Sequence, residues 1–165
     1  MSVGQHLLVA WGVLGVVLLV LRALWRLAPI AWEPVENHLL TGWQALVYAT
    51  WVVFNAYFEG YRGFHRSFSP RVVRRAFELV EHPSLVKMVL APAYCMSLFA
   101  ATKRRMVASW ILVAAVTALV LAMRLVSQPW RGIVDGGVVV GLTIGCVSLL
   151  VHWARALGPG TRHTP

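Results

Sequence analysis

The sequence predicts an all-α integral membrane protein with four transmembrane helices, an interfacial amphipathic helix and a short segment that is re-entrant or a fifth span. Two observations support this class. Apolar residues make up 59% of the 165 residues and charged residues only 13%, whereas a soluble domain carries about 25% charged residues. Four apolar runs are also long enough to cross a hydrocarbon core of about 30 Å. We therefore expect a single helical membrane domain over residues 1–165.

The four spans are predicted to cover residues 6–27, 38–58, 106–126 and 133–153. The first is predicted to be a retained anchor rather than a signal peptide, because no Lys or Arg precedes it and no A-x-A cleavage site follows it. Pro29 and Pro34 predict a loop between the first two spans, because proline removes a backbone donor and interrupts a helix.

The second and third spans are predicted to be separated by two elements that do not cross the membrane. Ser69 and Pro70 are typical of a helix start, and residues 70–81 have the apolar and basic faces of a helix lying flat on a membrane. The apolar stretch within residues 85–102 is short for a span, which favours a re-entrant segment over a fifth crossing. Headgroup contacts are expected from the arginines of this region: Arg66, Arg71, Arg74 and Arg75.

The distribution of Lys and Arg favours four crossings. If residues 85–102 return to the side from which they came, eleven of the fifteen basic residues lie on one side of the membrane and four on the other. Because cytoplasmic loops carry the excess of Lys and Arg, we expect both termini in the cytoplasm. The net charge of +9 predicts anionic headgroups as partners. Nucleic acid is not expected, because no basic segment is long enough to form a separate domain.

The second predicted span has a polar face, which is unusual inside a bilayer. Its members recur at helical spacing: Gln44, Tyr48, Trp51, Asn55, Glu59 and Arg62. Because lipid cannot satisfy polar groups, this face should contact protein or water. It predicts either hydrogen bonds to neighbouring helices or a path for an ion. Glu59 is expected to pair with Arg62, Arg66 or Lys87.

The last two predicted spans each have a face of small residues, spaced so that helix backbones can approach closely. We expect the two faces to pack on each other, with homo-oligomerisation as the alternative. Asp135 follows Arg131 by four residues near the start of the last span, which predicts an ion pair, with ion binding as the alternative. The small residues are Ala114, Ala118 and Ala122 in one span and Gly137, Gly141 and Gly145 in the other.

No motif in the sequence identifies a chemistry. It contains no Ser-His-Asp arrangement, phosphate loop or dinucleotide motif that we can recognise. His38 and His152 have no second ligand at the spacing that a metal or haem site uses. We therefore predict no catalytic residue, no metal and no cofactor.

The leading functional hypothesis is a non-catalytic subunit or assembly component of a membrane complex, bound to another membrane protein or to a second copy. A small transporter or channel that uses the polar face is the first alternative. A lipid-modifying enzyme at the inner interface, around Glu59, Arg62 and His65, is the second. Thirteen arginines against two lysines, with abundant Ala, Gly and Val, are typical of GC-rich bacterial genomes and predict a bacterial inner membrane protein.

Overall fold

The computed structural model describes residues 2–158, and every regular element in that range is helical. Three helices, α1, α6 and α7, are long and apolar enough to cross a membrane. The rest of the predicted domain, Met1 and residues 159–165, lies outside the described residues. The elements are α1 (Val3–Glu36), α2 (Gly42–Asn55), a π-helical segment (Ala56–Phe68, here the π segment), α3 (Ser69–Glu81), α4 (Leu85–Val89), α5 (Ala91–Cys95), α6 (Lys103–Met123) and α7 (Trp130–Leu157).

Helix α1 continues through both prolines to Glu36, so the predicted loop after residue 27 is wrong. Pro34 cannot donate to the carbonyl of Ile30, four residues back. That carbonyl instead accepts a hydrogen bond of 3.2 Å from Nε2 of Gln128. Pro34 is also fully buried, and its ring lies against Gly132 of α7. Contacts with α7 and with Gln128, two residues before α7, therefore compensate for the bond that proline removes.

Helix α2, the π segment and α3 follow one another without a break in helical backbone from Gly42 to Glu81. The π segment is wound with i→i+5 hydrogen bonds, which widen the turn. Its residues therefore do not keep the face that an α-helical spacing predicts. Arg62 is exposed, whereas Phe64 and His65 contact α7.

The contacts between helices define their directions. Pro34 of α1 lies against Gly132 near the start of α7, while Val9 belongs to the same buried cluster as Leu149. Helices α1 and α7 are therefore antiparallel. The Trp43 and Trp130 rings lie 5.6 Å apart and the His65 and His152 rings 4.9 Å apart. Helix α2 and the π segment therefore run parallel to α7.

The prediction that the apolar face of α3 lies on lipid is wrong. Val72, Ala76 and Leu79 are fully buried, because α1, α5 and α7 cover that face. The amphipathic pattern was read correctly, but it marks a face that contacts protein. In this position α3 contributes to the central apolar core between α1 and α7.

Arg75 corrects the prediction of headgroup contacts most clearly. Its side chain is only 5% exposed and lies 4.0 Å from the centre of the Tyr94 ring. Its guanidinium donates hydrogen bonds to the carbonyls of Tyr94 at 2.7 Å, Phe99 at 3.3 Å and Ala100 at 3.1 Å. These carbonyls belong to the end of α5 and the turns after it. Arg75 thus ties the segment after α3 to the bundle.

The other three arginines remain candidates for headgroup contact. Arg74 is exposed and pairs with Glu78 at 3.3 Å, and Arg71 donates to Oγ of Ser67 at 2.9 Å. Arg66 is exposed, and its guanidinium lies 5.6 Å from the centre of the Tyr61 ring.

Residues 85–102 form two helices of five residues each, joined at Leu90. Each is too short to cross a bilayer, so this segment contains no fifth spanning helix. Pro92 lies against Gly15 of α1, and Sγ of Cys95 lies against Gly12. The two glycines leave room for α5 to approach the backbone of α1 closely.

Helix α6 stands apart from the rest of the bundle. None of its residues is buried, and Ser109 and Trp110, near its start, donate side-chain hydrogen bonds to the carbonyls of Met96 and Leu98. Its small residues face away from the described helices: Ala114, Ala118 and Ala122 are all exposed. The predicted packing of this face on the glycines of α7 is therefore not observed.

A candidate polar site between the π segment and helix α7

The glycines of α7 face α2 and the π segment. Side chains lie so close to them that an added Cβ would clash. A Cβ at Gly141 would lie 2.7 Å from Oε2 of Glu59, and one at Gly145 would lie 2.5 Å from the Phe64 ring. A row of small residues thus lets larger, partly polar side chains lie directly on the backbone of α7.

At the start of α7, polar groups from α1, α2 and α7 lie close together. Arg131 and Asp135 form the predicted pair, with Nε and Oδ2 3.8 Å apart and Asp135 buried. The hydroxyl of Tyr48 lies against Gly136 and donates to the carbonyl of Ala31 at 3.2 Å. The acidic and basic groups at this end are therefore paired with each other.

Halfway along α7 lies a carboxyl group without such a pair. Nε1 of Trp51 donates to the carbonyl of Val134 at 3.3 Å, and Nδ2 of Asn55 donates to the carbonyl of Trp51 at 2.9 Å. One turn further, the half-buried Glu59 faces Gly141. Within residues 2–158 its carboxylate makes no hydrogen bond or ion pair.

The expected partners of Glu59 lie elsewhere. Arg62 and Arg66 are exposed and form no ion pair with Glu59, and Nζ of Lys87 lies 5.6 Å from the centre of the Tyr94 ring. The expected ion pair of Glu59 is therefore wrong for the part of the chain that the structure describes.

At the far end of α7 two histidines and a serine meet. Nδ1 of His65 lies 2.8 Å from Oγ of Ser148. Nε2 of His152 lies 3.1 Å from the carbonyl oxygen of His65, and because a carbonyl only accepts, this nitrogen carries the hydrogen. The Tyr61 ring stacks on His65 at 5.6 Å. This end of α7 therefore holds two imidazole rings in contact with each other, 4.9 Å apart between ring centres.

Apolar side chains separate the histidines from Glu59. Phe64 lies on Gly145, and Ile144 lies on Gly60. Between Glu59 and Asp135, in contrast, the contacts on α7 come from Asn55, Trp51 and Tyr48, each with a polar group. At about 1.5 Å per residue, Gly141 lies about 9 Å along α7 from Asp135 and about 10 Å from Ser148.

The structure brings together most, but not all, of the predicted polar face. Tyr48, Asn55 and Glu59 contact the glycines of α7. Gln44 does not, because its Oε1 accepts from the backbone nitrogen and the hydroxyl of Thr41 at the start of α2. Arg62 is also absent from the site. His65 was named only for the enzyme alternative and Ser148 was missed, because an α-helical spacing does not place His65 on this face.

The fold and site together define a class, a helical protein with three helices able to cross a membrane and a polar line between two packed helices. Comparisons with protein families, with curated proteins and with solved structures give no match. Among the described residues, no group of three His, Cys, Asp or Glu side chains could hold a metal ion.

Proposed function

We propose that the protein crosses a bacterial inner membrane four times, with α2 and the π segment as the remaining crossing. Their parallel course beside α7, from the Trp43–Trp130 contact to the His65–His152 contact, supports this. Any membrane that α7 crosses would then also surround α2 and the π segment. Both termini are assigned to the cytoplasm on the distribution of Lys and Arg.

The function we propose is that of a non-catalytic component of a membrane complex. The observation that carries it is α6, a helix of 21 residues with no buried side chain. In lipid, helices associate by close packing at small residues. Helix α6 presents such a face, with Ala118 at its centre, that the described residues leave uncovered. Its partner is another membrane protein or a second copy of this chain.

Purification in mild detergent tests this function. Ala118→Leu should release a partner or dissociate an oligomer, because the larger side chain prevents close approach. Val116→Leu is the matched control, since two residues along a helix turn its side chain to the opposite face. A monomeric wild type without a co-purifying protein, or an Ala118→Leu variant that keeps its partner, would contradict the proposal.

A second candidate, transport of a small ion, is favoured by the unpaired carboxyl group of Glu59. Carboxylates within membrane-spanning segments are costly and mark ion pathways by default. Ion flux into vesicles that contain the purified protein tests this candidate, and flux equal to that of empty vesicles would refute it. The enzyme alternative is not supported by the geometry, because Glu59 is half-buried against α7 while Arg62 is exposed.

A further inference from the structure

We propose that Glu59 is a proton-binding site within the membrane, reached along Asn55 from the end of the molecule that holds Asp135 and closed towards His65 by Phe64. The site is inferred from the geometry. The proton's role as the transported ion rests on the transport function proposed above.

Among the described residues, Glu59 has no counter-cation. Neutralising a carboxylate inside a bilayer requires either a bound cation or a proton. On α7, Glu59 meets Gly141, and one turn before Glu59 in its own helix, Asn55 lies against Gly137. Arg131 is engaged with Asp135, about 9 Å away along α7. No described basic side chain lies within ion-pair distance of Glu59, so a proton is the simplest neutralising partner.

The surroundings of Glu59 are polar towards Asp135 and apolar towards Ser148. Towards Asp135, the groups beside α7 are an amide, an indole and a phenol, and each can hydrogen-bond to water. Towards Ser148, Phe64 lies on Gly145 and Ile144 on Gly60, with the closest approaches below 3 Å from an added Cβ. Water can follow a polar surface but not a closely packed apolar one. Protons should therefore reach Glu59 from the Asp135 end.

Two histidines lie on the far side of the apolar contact from Glu59. His65 and His152 lie beyond Phe64, with Nε2 of His65 and Nδ1 of His152 making no hydrogen bond within residues 2–158. Opening the Phe64 contact would place a proton acceptor on the other side of Glu59. One proton would then leave the carboxylic acid and join an imidazole nitrogen through intervening water, with no other bond changed.

Carbodiimide labelling tests the site directly. Dicyclohexylcarbodiimide enters bilayers and adds to a protonated carboxyl group, giving an N-acylurea without a leaving group. In right-side-out and inside-out membrane vesicles, the pH on each side can be set separately. Mass spectrometry of the peptide that contains Glu59 should show labelling that is lost as the pH rises on the Asp135 side only.

Two variants sharpen the result. Glu59→Gln should lose the label, whereas Phe64→Ala should make labelling depend on the pH of both sides. Absence of wild-type labelling at low pH, labelling insensitive to pH, or dependence on the His65 side alone would overturn the proposal. Proton flux measured in the same vesicles separates the proposed proton-binding site from the proposed transport function. Labelling without flux refutes transport and leaves the site, while flux without labelling refutes the site.

Discussion

Arg74 and Arg75 are adjacent on α3, yet their environments differ completely. Arg74 is exposed and pairs with Glu78. Arg75 is buried, and three backbone carbonyls and the Tyr94 ring surround its guanidinium. A rotation of about 100° along a helix separates a solvent-facing charge from an internal one. The sequence places Arg75 in a basic cluster, and only the position of α5 shows that this residue points inward.

Arg75→Met should therefore destabilise the protein much more than Arg74→Met. Losing Arg75 leaves several buried carbonyls unsatisfied, and we expect a loss of about 3 kcal/mol of unfolding free energy. An exposed ion pair contributes about 0 to 1 kcal/mol, so Arg74→Met should be nearly neutral. Thermal unfolding in detergent compares the two. Equal melting temperatures would show that the hydrogen bonds of Arg75 do not stabilise the fold.

The π segment determines which side chains reach α7. The helical spacing groups Tyr48, Asn55 and Glu59 on one face, and these side chains do contact α7, because α2 is wound as an α-helix up to Asn55. Beyond that point the turn is wider, so that Phe64 and His65, instead of Arg62, contact α7. Hydrophobic periodicity assumes about 3.6 residues per turn, so a change of winding within one helix cannot be predicted from it.

Gly141→Leu tests this contact between elements. A leucine would displace the Glu59 carboxylate and force the π segment away from α7. We expect a loss of about 2 kcal/mol or more, since a packed interface resists overfilling. Thr143→Leu is the control, because Thr143 is exposed on the same helix. Unfolding in detergent should distinguish the variants, and equal stability would argue against the contact.

At the scale of the whole molecule, composition was sufficient to predict a helical class with long apolar helices. Which faces meet could not be predicted, because the physics of a small-residue face is the same for any partner. The glycines of α7 were assigned to α6 and instead contact α2 and the π segment. Pro34 was interpreted as a helix end, since the compensating hydrogen bond comes from Gln128, far away in the chain.

The proposed topology makes a prediction about compartments. Reporter fusions after Ala101 and after Arg155 should both report the cytoplasm, because four crossings return the chain to the side where it began. A fusion after Asn37, between α1 and α2, should report the opposite side. Opposite compartments for the first two fusions would show that the number of crossings between them is odd.

The central claim is that α2 and the π segment, rather than α6, cover the glycine face of α7. Disulfide formation in membranes can decide this, because it requires Cβ atoms about 3.5–4.5 Å apart. A Cβ at Gly60 would lie 2.9 Å from Cβ of Ile144, close enough for a link after small adjustments. The two native thiols, Cys95 and Cys146, are free and buried and would first be replaced by alanine.

The most direct measurement is oxidation of two double-cysteine variants in native membranes, followed by electrophoresis after cleavage of the chain between the paired positions. Gly60→Cys with Ile144→Cys should form a disulfide efficiently, since the π segment lies on α7. Ala118→Cys with Gly141→Cys should not link within the chain, because Ala118 is exposed on a helix that stands apart. A link in the second variant and none in the first would contradict the packing on which the Glu59 site depends.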